Sequence, residues 1–462
     1  MSSEGAGPKH DGVSGRHGAE KRPLKSVRTR QEHIAELAKR HTDSPLTTLN
    51  HHLDMLWLYC AFKQLRKASA TGVDGVTVEE YACNLEENLA DLLERAKSGR
   101  YRSSPSRRVY IPKNEREKRP ISIPTVEDKL LQRAVCMLME PIYETEFLDC
   151  SYGFRPNRSP HQALTALRGH LKEMGGGWVL DMDIRKYFDS IPHAQLKEVL
   201  RKRVNDSVIL RLVAKWLRAG VLEDGMLKQS REGTPQGGVI SPLLSNIYLH
   251  EVLDSWFEES VKPWMRGKAH MIRFADDCVM VFEHFKDAQR VMNVLEKRLA
   301  RYGLELHPEK TRLVDFRHPW DSGRKPETFD FLGFTHYWGK TRKGGFAIQK
   351  KTKSKKMSQS LSRVHEWCKR NRHKDLDWQY QQICRKLLGH YAYYGITGNF
   401  RSIQAFRIQA VRIWRYWLNR RSRKRDGMGW KRFSELLKSK YPVPKARIVH
   451  RATKHQQLCL DI

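Results

Sequence analysis

The sequence predicts an α+β fold, with helices on one face of a small antiparallel sheet and an all-helical region after it. Short strands alternate with helical segments through the middle of the chain. Two apolar strands flank a tight turn at Asp276 and Asp277, which indicates a β-hairpin. After about residue 356 the apolar spacing is helical throughout. The 462 residues exceed one ordinary core and fit two or three domains.

The part of the chain before residue 178 combines helices with one predicted hairpin. Residues 1–30 contain five glycines among mixed charges, and we expect them to be disordered. The elements predicted after them are a turn at 71–75, a helix over about 78–97, paired strands at 108–112 and 119–124, a helix over about 126–147, and a helix capped by Ser159.

The middle of the chain alternates strands and helices. The predicted elements are strands at 178–184, 270–275 and 278–282, and helices over about 193–204, 207–219, 241–260 and 287–302. Ser241 is expected to cap the third of these helices and Gly303 to end the fourth. The composition then changes: residues 340–356 contain eight Lys or Arg and no acid, so we place a domain boundary there. Helices are predicted after it at about 357–372, 378–394 and 401–420.

The charge balance indicates a polyanionic partner. The formal net charge is +33, and a surface with that excess binds phosphate backbones with release of counterions. The charge is spread along the chain, which argues against an amphipathic membrane helix. No apolar signal core and no run of about twenty apolar residues occur, so we expect an intracellular protein. The eight cysteines form no Cys-x-x-Cys pair and no His-Glu-x-x-His motif occurs, so a structural zinc site is not expected.

Three aspartates are predicted to converge on metal ions. Asp183 ends one strand, and Asp276 and Asp277 lie at the tip of a hairpin; neighbouring strands are about 4.8 Å apart. Aspartate pairs are also common in ordinary turns. Here apolar strands flank the pair on both sides and a third strand supplies Asp183, which favours a site where a cation holds the carboxylates together. Two Mg²⁺ ions about 3.5–4 Å apart support phosphoryl transfer, because one lowers the pKa of an attacking 3′-hydroxyl and the other holds the triphosphate.

The motifs around these aspartates resemble the reverse transcriptase–maturases encoded by bacterial group II introns. Phe274-Ala275-Asp276-Asp277 is similar to the family's Tyr-Ala-Asp-Asp box, with Phe274 in place of the usual tyrosine. The resemblance covers roughly residues 45–450. The other family motifs occur in order at 71–75 with 99–113, 153–159, 183–189, 233–238 with 241–242, 306–311 and 331–334.

The resemblance implies a right-hand polymerase, with fingers and a palm built on a small antiparallel sheet, followed by an all-α thumb or maturase domain. The predicted divisions are a disordered N-terminus at 1–30, an N-terminal extension and fingers at 31–178, a palm at 179–340, a basic linker at 341–356, a helical thumb/maturase domain at 357–450 and a tail at 451–462. No endonuclease pattern of paired cysteines or clustered histidines follows, so a nicking domain is not expected.

The activity implied by the resemblance is RNA-directed DNA synthesis, combined with binding of the group II intron RNA to assist splicing and with intron mobility by target-primed cDNA synthesis. The implied cofactors are two Mg²⁺ ions, with Mn²⁺ as a substitute. The implied partners are intron RNA, an RNA template with a DNA primer, and dNTPs; a homodimer stays open and no membrane partner is expected. A bacterial cytoplasmic location at the nucleoid would follow. Two alternatives remain open: a domesticated reverse transcriptase in host defence and a maturase that only assists splicing.

The resemblance assigns roles residue by residue. The implied catalytic residues are Asp183, Asp276, Asp277 and Lys310, the last as proton donor to pyrophosphate. The implied metal-binding residues are Asp183, Ile184, Asp276 and Asp277. The implied substrate-binding residues are Lys113 and Arg119 on the triphosphate, Phe188 as a steric gate against a 2′-hydroxyl, and Gln236 with Gly237 beside the nucleotide. The implied nucleic-acid-binding residues are Arg155, the primer-grip residues Phe331, Leu332 and Gly333, and Arg412, Arg415 and Arg421.

Each of these assignments has a plainer alternative. Phe188 could be an ordinary aromatic that packs against the sheet, and Lys113 with Arg119 could lie in a solvated basic loop. Some aromatics of the C-terminal helices must form helix core. The arginines interleaved with them are harder to explain by packing and suit contacts with RNA phosphates.

Overall fold

The structure is a computed structural model that describes residues 15–112, 117–223, 226–228, 232–234, 236–320, 326–341, 344–421 and 427–451, with the backbone alone for 15–24. The chain divides into two compact units that alternate along the sequence. The first unit comprises Met1–Asn157, Ile184–Val261 and Leu295–Leu306, and the second comprises Arg158–Asp183, Lys262–Val294 and His307–Ile462. Within the described ranges, none of the helices has both the length and the apolar composition needed to cross a bilayer.

Helices make up most of the described chain, and their bounds follow in chain order. The α-helices are α1 (Gly15–Arg40), α2 (Met55–Lys63), α3 (Val78–Cys83), α4 (Leu85–Ser98), α5 (Val126–Tyr143), α6 (Pro160–Glu173), α7 (Tyr187–Ser190), α8 (His193–Arg201), α9 (Ser207–Arg218), α10 (Ser241–Leu249), α11 (Phe285–Arg301), α12 (Ser354–Asn371), α13 (Leu376–Tyr394), α14 (Phe400–Leu418) and α15 (Trp430–Lys438). Helix α10 continues into π-helical turns at His250–Asp254 and Trp256–Val261.

The strands form three small sheets. Their bounds are β1 (Ser106–Pro112), β2 (Lys118–Ile123), β3 (Trp178–Met182), β4 (Val221–Glu223), β5 (Met226–Lys228), β6 (Ala269–Phe274), β7 (Asp277–Phe282), β8 (Arg312–Asp315), β9 (Phe329–Phe331), β10 (Phe334–Lys340) and β11 (Phe346–Thr352). The strand orders are β2-β1-β4-β5 in the first unit, and β6-β7-β3-β8 and β11-β10-β9 in the second. The predicted α+β fold is confirmed.

The first unit is built around helix α5, which is buried on most of its surface. Its N-cap Thr125 accepts a hydrogen bond from the backbone N–H of Asp128, and apolar residues follow on every face of the helix. The predicted hairpin is present beside it: β1 and β2 pair antiparallel, with Ile111 opposite Arg119. Strand β4 then pairs parallel with β1. Strand β2 carries Arg119, one of the two basic residues predicted to contact a triphosphate.

The second unit contains the sheet that carries the three aspartates. Strands β6, β7, β3 and β8 pair antiparallel, with Leu180 opposite both Met280 and Leu313. Apart from Asp181 and Asp277, the two central strands are apolar on both faces, and Val179, Leu180 and Val281 are fully buried. A sheet covered on both faces explains why these strands have continuous apolar runs rather than alternating patterns.

The helices after residue 354 pack around their own core in the second unit. The buried residues of this core include Val364, Ile383, Leu387, Phe406 and Trp414. Several predicted aromatics belong to it: Tyr391 is fully buried, and Phe433 packs edge-on against Trp414. The predicted helices at 357–372, 378–394 and 401–420 correspond to α12, α13 and α14.

Helix α1 shows that the expected disorder of residues 1–30 is wrong from residue 15 onward. Val27, Ile34 and Ala38 are buried along one face of this helix. Gln31 also donates a 2.9 Å hydrogen bond to the carbonyl of Met137. The glycine-rich composition was misleading because the apolar stripe begins only at Val27. Residues 1–14 lie outside the described residues.

Residues 341–356 are not the predicted linker. Strand β11 lies within this segment and pairs antiparallel with β10 along its full length, from Phe346 opposite Lys340 to Thr352 opposite Phe334. The second unit continues through the segment without a boundary. The strand was hidden by its lysines: Lys350 is buried, and burial lowers the pKa of its ammonium group to about 8.

The ends of several helices also differ from the predictions. The single helix expected over 78–97 is two helices, α3 and α4, joined at Asn84. Ser241 is the first helical residue of α10 and not its N-cap, a position occupied by Ile240. By contrast, Ser159 caps α6 as predicted, since its side chain accepts a hydrogen bond from the N–H of Gln162.

Candidate active site

Three carboxylates meet at one end of the four-stranded sheet of the second unit. Asp183 directly follows β3, and Asp277 is the first residue of β7. These two strands are paired neighbours, with Met182 opposite Cys278. Adjacent strands lie about 4.8 Å apart, so the register places Asp183 and Asp277 close together at the same end of the sheet. Asp276 precedes Asp277 in the turn.

The turn between β6 and β7 has an unusual backbone. Phe274 pairs with Asp277, which leaves Ala275 and Asp276 as a two-residue loop. Ala275 has a φ of +58°, a left-handed conformation that costs an L-residue roughly 1–2 kcal/mol. Fully buried Arg273 supports the turn, because its guanidinium donates a 3.1 Å hydrogen bond to the carbonyl of Ala275. Sequence reasoning did not single out Arg273; its signal is a cation inside an apolar strand.

The charges of the cluster act on one another. The pKa of Asp277 is raised to about 6, first because protein atoms crowd its carboxyl and then because Asp276, Asp183 and Asp181 are negative; Lys356 opposes the shift. Residue Asp277 nevertheless keeps a solvent-exposed surface, so dissolved cations can reach it. A divalent cation would relieve this repulsion, and all the donors are the carboxylate oxygens that Mg²⁺ prefers.

Asp181 is a fourth acid that sequence reasoning missed. It lies two residues before Asp183 on β3 and pairs with Arg312 of β8, whose Nε lies 3.5 Å from its carboxylate. Burial raises the pKa of Asp181 to about 6, and the cation of Arg312 counters that shift. The signal in the sequence was the alternation Asp181-Met182-Asp183, which puts both acids on one face of the strand.

The segment 307–311 fixes Asp183 and supplies Lys310. The N–H of His307 donates a 2.8 Å hydrogen bond to the carbonyl of Asp183. The Oγ1 of Thr311 accepts from the N–H of Asp183 at 3.4 Å. This holds the loop against the strand end, and the Nζ of Lys310 lies 2.7 Å from Oδ2 of Asp183. The structure therefore brings predicted catalytic residue Lys310 together with the carboxylates.

The predicted primer-grip residues form a tight hairpin turn between β9 and β10. Leu332 and Gly333 both have positive φ, +48° and +79°, as a type I′ turn requires. The hydroxyl of Tyr393, on helix α13, donates a 2.9 Å hydrogen bond to the carbonyl of Leu332. The N–H of Lys353 donates to the carbonyl of Gly333 at 3.0 Å. Helix α13 and the start of α12 therefore hold this turn, and Phe331 before it is buried.

The predicted substrate-binding residues of the first unit also lie on connected backbone segments. The N–H of Ser122 on β2 donates a 2.6 Å hydrogen bond to the carbonyl of Gln236. A Cβ at Gly237 would lie 2.4 Å from the carbonyl oxygen of Ser122, so this position requires glycine. The N–H of Thr234 donates to the carbonyl of Phe188 at 2.7 Å.

Strands β1 and β2, residues 233–234 and 236–238, and helix α7 therefore form one assembly in the first unit. The ring of Phe188 is half-buried and packs edge-on against Tyr187. Arg119 on β2 is exposed. Lys113 lies outside the described residues.

The side chains of Arg155 and Ile184 are not available for the contacts predicted for them. Arg155 is buried, and its guanidinium donates to Glu144 and to the carbonyls of Leu148 and Ser151. A guanidinium occupied in this way has a structural role, which does not favour the nucleic-acid contact predicted for Arg155; that contact stays a prediction. Ile184 follows Asp183 but falls in the first unit, and its side chain is buried. Only its backbone carbonyl has the chemistry to bind a cation.

The three arginines predicted to bind RNA have different surroundings. Arg412 is exposed on α14, and within the described residues it has no hydrogen bond or ion pair. Arg415 donates to the carbonyl of Met428 at 2.7 Å and lies over the ring of Trp430. Arg421 donates to the backbone carbonyls of Arg372 and Lys374, which follow the end of α12. Of these three arginines, Arg412 is the one whose guanidinium is exposed and has no partner among the described residues.

Comparison with known proteins places these features in a family. Residues 111–336 match the family model described as "Reverse transcriptase (RNA-dependent DNA polymerase)". That range contains all three aspartates, Lys310 and the turn at 332–333. The chain contains a reverse transcriptase domain.

The reverse transcriptase domain has relatives in organisms from bacteria to plants. The chain is 41% identical over 210 residues to Protein YkfC of Escherichia coli. The aligned segment covers 45% of this chain and 54% of YkfC. It is 38% identical over 229 residues to the group II intron-encoded protein LtrA of Lactococcus lactis, covering 48% of this chain and 37% of LtrA. A nuclear intron maturase of Arabidopsis thaliana is 27% identical over 180 residues, 30% of this chain and 24% of that protein. The chain thus spans about half the length of YkfC and less of the others.

Proposed function

We propose that this chain is an RNA-directed DNA polymerase that also binds group II intron RNA. The observation that carries the proposal is the cluster of Asp183, Asp276 and Asp277 within the reverse transcriptase domain. The negative charges of Asp276 and Asp183 help to raise the pKa of Asp277, and bound cations would stabilise the three groups together as carboxylates. The all-oxygen donor set suits two Mg²⁺ ions, with Mn²⁺ as a substitute. The backbone carbonyl of Ile184 is a further proposed ligand.

The chain's own residues divide the work of nucleotide addition. The bound Mg²⁺ ions would supply activation of the primer 3′-hydroxyl and neutralisation of the triphosphate. Arg119 offers a fork of donors that matches phosphate oxygens, and Lys113 is proposed to add a second cation. Phe188 would exclude a 2′-hydroxyl by contact. Gln236 and Gly237 would lie along the incoming nucleotide, where glycine lets the backbone approach closely.

Lys310 is the proposed proton donor to the leaving pyrophosphate. Its ammonium group is already 2.7 Å from an oxygen of Asp183, so no large movement is needed to bring it to the reacting phosphates. Leu332 and Gly333 are proposed to support the primer end. The hydrogen bond from Tyr393 to Leu332 makes the position of that turn depend on helix α13.

The C-terminal helices are proposed to bind intron RNA. The names of two relatives refer to an intron. Exposed cations occur on three successive helices of this region. Those cations are Lys355, Lys356, Arg363, Lys369 and Arg370 on α12, Arg385 on α13, Arg401 and Arg412 on α14, and Arg420 just after α14. A broad cationic surface binds a phosphate backbone without regard to sequence. Intron mobility would follow from cDNA synthesis primed at a DNA target, and that target would place the protein at the bacterial nucleoid.

The test separates the two proposed activities on one preparation. The purified chain is given a DNA primer annealed to an RNA template, with dNTPs and Mg²⁺, and in parallel a group II intron RNA transcribed from the DNA that flanks its gene. Asp276→Asn should lower cDNA synthesis by at least about a hundredfold, as loss of a major electrostatic contributor does elsewhere. The same variant should leave splicing assistance nearly unchanged.

Asp43→Asn, a substitution of an exposed aspartate outside the second unit, is the matched control and should change neither activity. Extension by Asp276→Asn within threefold of wild type contradicts the polymerase assignment. Splicing of the intron RNA at the same rate with and without the wild-type chain contradicts the maturase assignment alone.

A further inference from the structure

A second group of metal-ligand side chains lies in the second unit, apart from the aspartates. It consists of His170 and Glu173 on helix α6 and His270 on strand β6. One ligand atom from each residue lies within 4.8 Å of the other two. The two imidazole rings stack, with centroids 3.8 Å apart and planes 13° from parallel. Nothing in the proposed polymerase chemistry uses these residues.

The fold explains why these three side chains meet. Residues three apart on a helix share one face, so His170 and Glu173 project together from the last turn of α6. Helix α6 packs against β6, the edge strand of the sheet, and His270 is the second residue of that strand. The two histidines are a hundred positions apart in the sequence, so no local motif announces the group.

We propose that His170, Glu173 and His270 bind a transition-metal ion of the zinc type, separately from the polymerase cations. Two imidazole nitrogens and one carboxylate oxygen form a common three-residue set for Zn²⁺, with water as the fourth ligand. Mg²⁺ and Ca²⁺ prefer oxygen donors and would not select two histidines. The sequence-based expectation of no zinc site depended on cysteine pairs and on His-Glu-x-x-His, and this group uses neither.

The geometry needs only a local adjustment to hold an ion. Ligand atoms around a tetrahedral Zn²⁺ lie about 3.3 Å apart, as bond lengths of about 2.0–2.1 Å require. The ligand atoms now lie within 4.8 Å of one another. Rotation of the imidazoles out of their stacked arrangement would shorten the distances between these atoms to about 3.3 Å. Both histidines are half-buried and Glu173 is exposed, so one side of the site is open to solvent for the ion and its water.

Lys268 limits the affinity of this site. Its Nζ lies 2.7 Å from a carboxylate oxygen of Glu173, where it competes with a metal ion for the same charge. The ion pair is exposed on both sides and is therefore weak. We expect Lys268→Ala to bind the metal more tightly than wild type, by about threefold to tenfold.

A bound ion would join α6 to the start of β6. The opposite end of β6 leads into the turn that carries Asp276. From His270 to Phe274 the strand advances about 14 Å, at roughly 3.4 Å per residue. The zinc-type site is therefore distinct from the carboxylate cluster, and its effect on the protein is to stabilise the packing of α6 on the sheet.

Cobalt binding to the 462-residue chain tests the proposal. The protein is stripped with a chelator, titrated with Co²⁺ and then with Zn²⁺, and followed by its visible absorption and its melting temperature. With excess Mg²⁺ present to occupy the carboxylates, we expect one Co²⁺ per chain with visible ligand-field bands, no thiolate charge-transfer band, displacement by Zn²⁺, and a higher melting temperature with either metal. His270→Ala should lower the affinity at least about tenfold.

Three further variants make the result decisive. Glu173→Gln removes an exposed ligand without disturbing packing and should also weaken binding. His365→Ala, an exposed histidine on α12, and Asp276→Asn should both leave Co²⁺ binding unchanged. Failure of the wild-type chain to bind Co²⁺ overturns the proposal. So does equal affinity in wild type, His270→Ala and Glu173→Gln, and so does loss of binding in Asp276→Asn, which would place the ion among the polymerase carboxylates.

Discussion

The ammonium group of Lys310 lies 2.7 Å from the carboxylate of Asp183, at the end of strand β3. Both side chains are partly exposed, 54% and 32%, so this ion pair adds little to the stability of the fold. Its importance is chemical. It places a proton donor beside the carboxylate cluster and lets the same lysine compete with cations for Asp183.

Replacement of Lys310 should therefore have two opposite effects. Lys310→Ala should lower the rate of nucleotide addition by roughly a hundredfold, the usual contribution of a positioned acid. It should also lower the Mg²⁺ concentration needed for half-maximal rate, because one competing cation is gone. Single-nucleotide addition measured across a Mg²⁺ series reports both quantities.

The matched control for Lys310 is Lys202→Ala. Lys202 forms an ion pair of the same 2.7 Å length with Glu251, but in the first unit, whereas the carboxylates belong to the second. It should change neither the rate nor the Mg²⁺ requirement. A Lys310→Ala enzyme with the wild-type rate would remove the proton-donor role.

The raised pKa of Asp277 makes stability depend on pH and metal together. Its folded-state pKa of about 6 lies above the ordinary value of 3.8, so the carboxyl favours the folded state at low pH and loses that contribution as pH rises through about 6. In EDTA, Asp277→Asn should thus raise the melting temperature at pH 8 and have a much smaller effect at pH 4. Melting curves at both pH values, with Asp43→Asn as control, test this; an equal effect at both would contradict it.

Phe188 should determine which sugar is accepted. The half-buried ring packs against Tyr187, and its backbone is held by Thr234, so truncation leaves the loop in place. Phe188→Ala should raise ribonucleotide use relative to dNTP use by about tenfold to two-hundredfold, equivalent to roughly 1–3 kcal/mol of discrimination. Competitive incorporation assays measure the ratio, and Phe285→Ala, an exposed aromatic on α11, is the control. An unchanged ratio would make Phe188 a packing residue.

Two arginines of helix α14 should separate RNA binding from folding. Arg412 is exposed and has no partner in the described residues, so Arg412→Ala should lower the salt slope of intron RNA binding by about one and leave the melting temperature unchanged. Arg415 holds Met428 and Trp430, so Arg415→Ala should destabilise the helices by roughly 1–2 kcal/mol. Filter binding across a salt series, beside thermal melts, distinguishes them. An unchanged slope in Arg412→Ala would mean that this face is simply solvated.

The sequence predicted the parts of the site that depend on strand pattern. Asp183, Asp276 and Asp277 were expected to meet because apolar strands define a register, and register decides which strand ends are neighbours. Lys310 followed from the family motif. Neither the strand register nor the family motif depends on side chains far away in the sequence. For that reason the predicted positions of the three aspartates and of Lys310 agree with the structure.

Other features depended on partners far away in the sequence. Arg155 stands in a family motif, but whether its guanidinium is free is decided by Glu144 and two backbone carbonyls. Strand β11 was obscured because Lys350 is buried, against the usual preference of lysine for water. The group of His170, Glu173 and His270 depends on the packing of α6 against β6, which no local pattern encodes.

The most direct measurement of the central claim is the single-turnover rate at which one dNTP is added to a DNA primer on an RNA template. It is measured for wild type and Asp276→Asn, together with the dissociation constant of each protein for the primer–template. The proposed polymerase mechanism predicts a rate at least about a hundredfold lower in Asp276→Asn, with a dissociation constant within about threefold of wild type. A rate within threefold of wild type, with RNA-templated extension intact, would show that the carboxylates at the end of this sheet are not the catalytic centre.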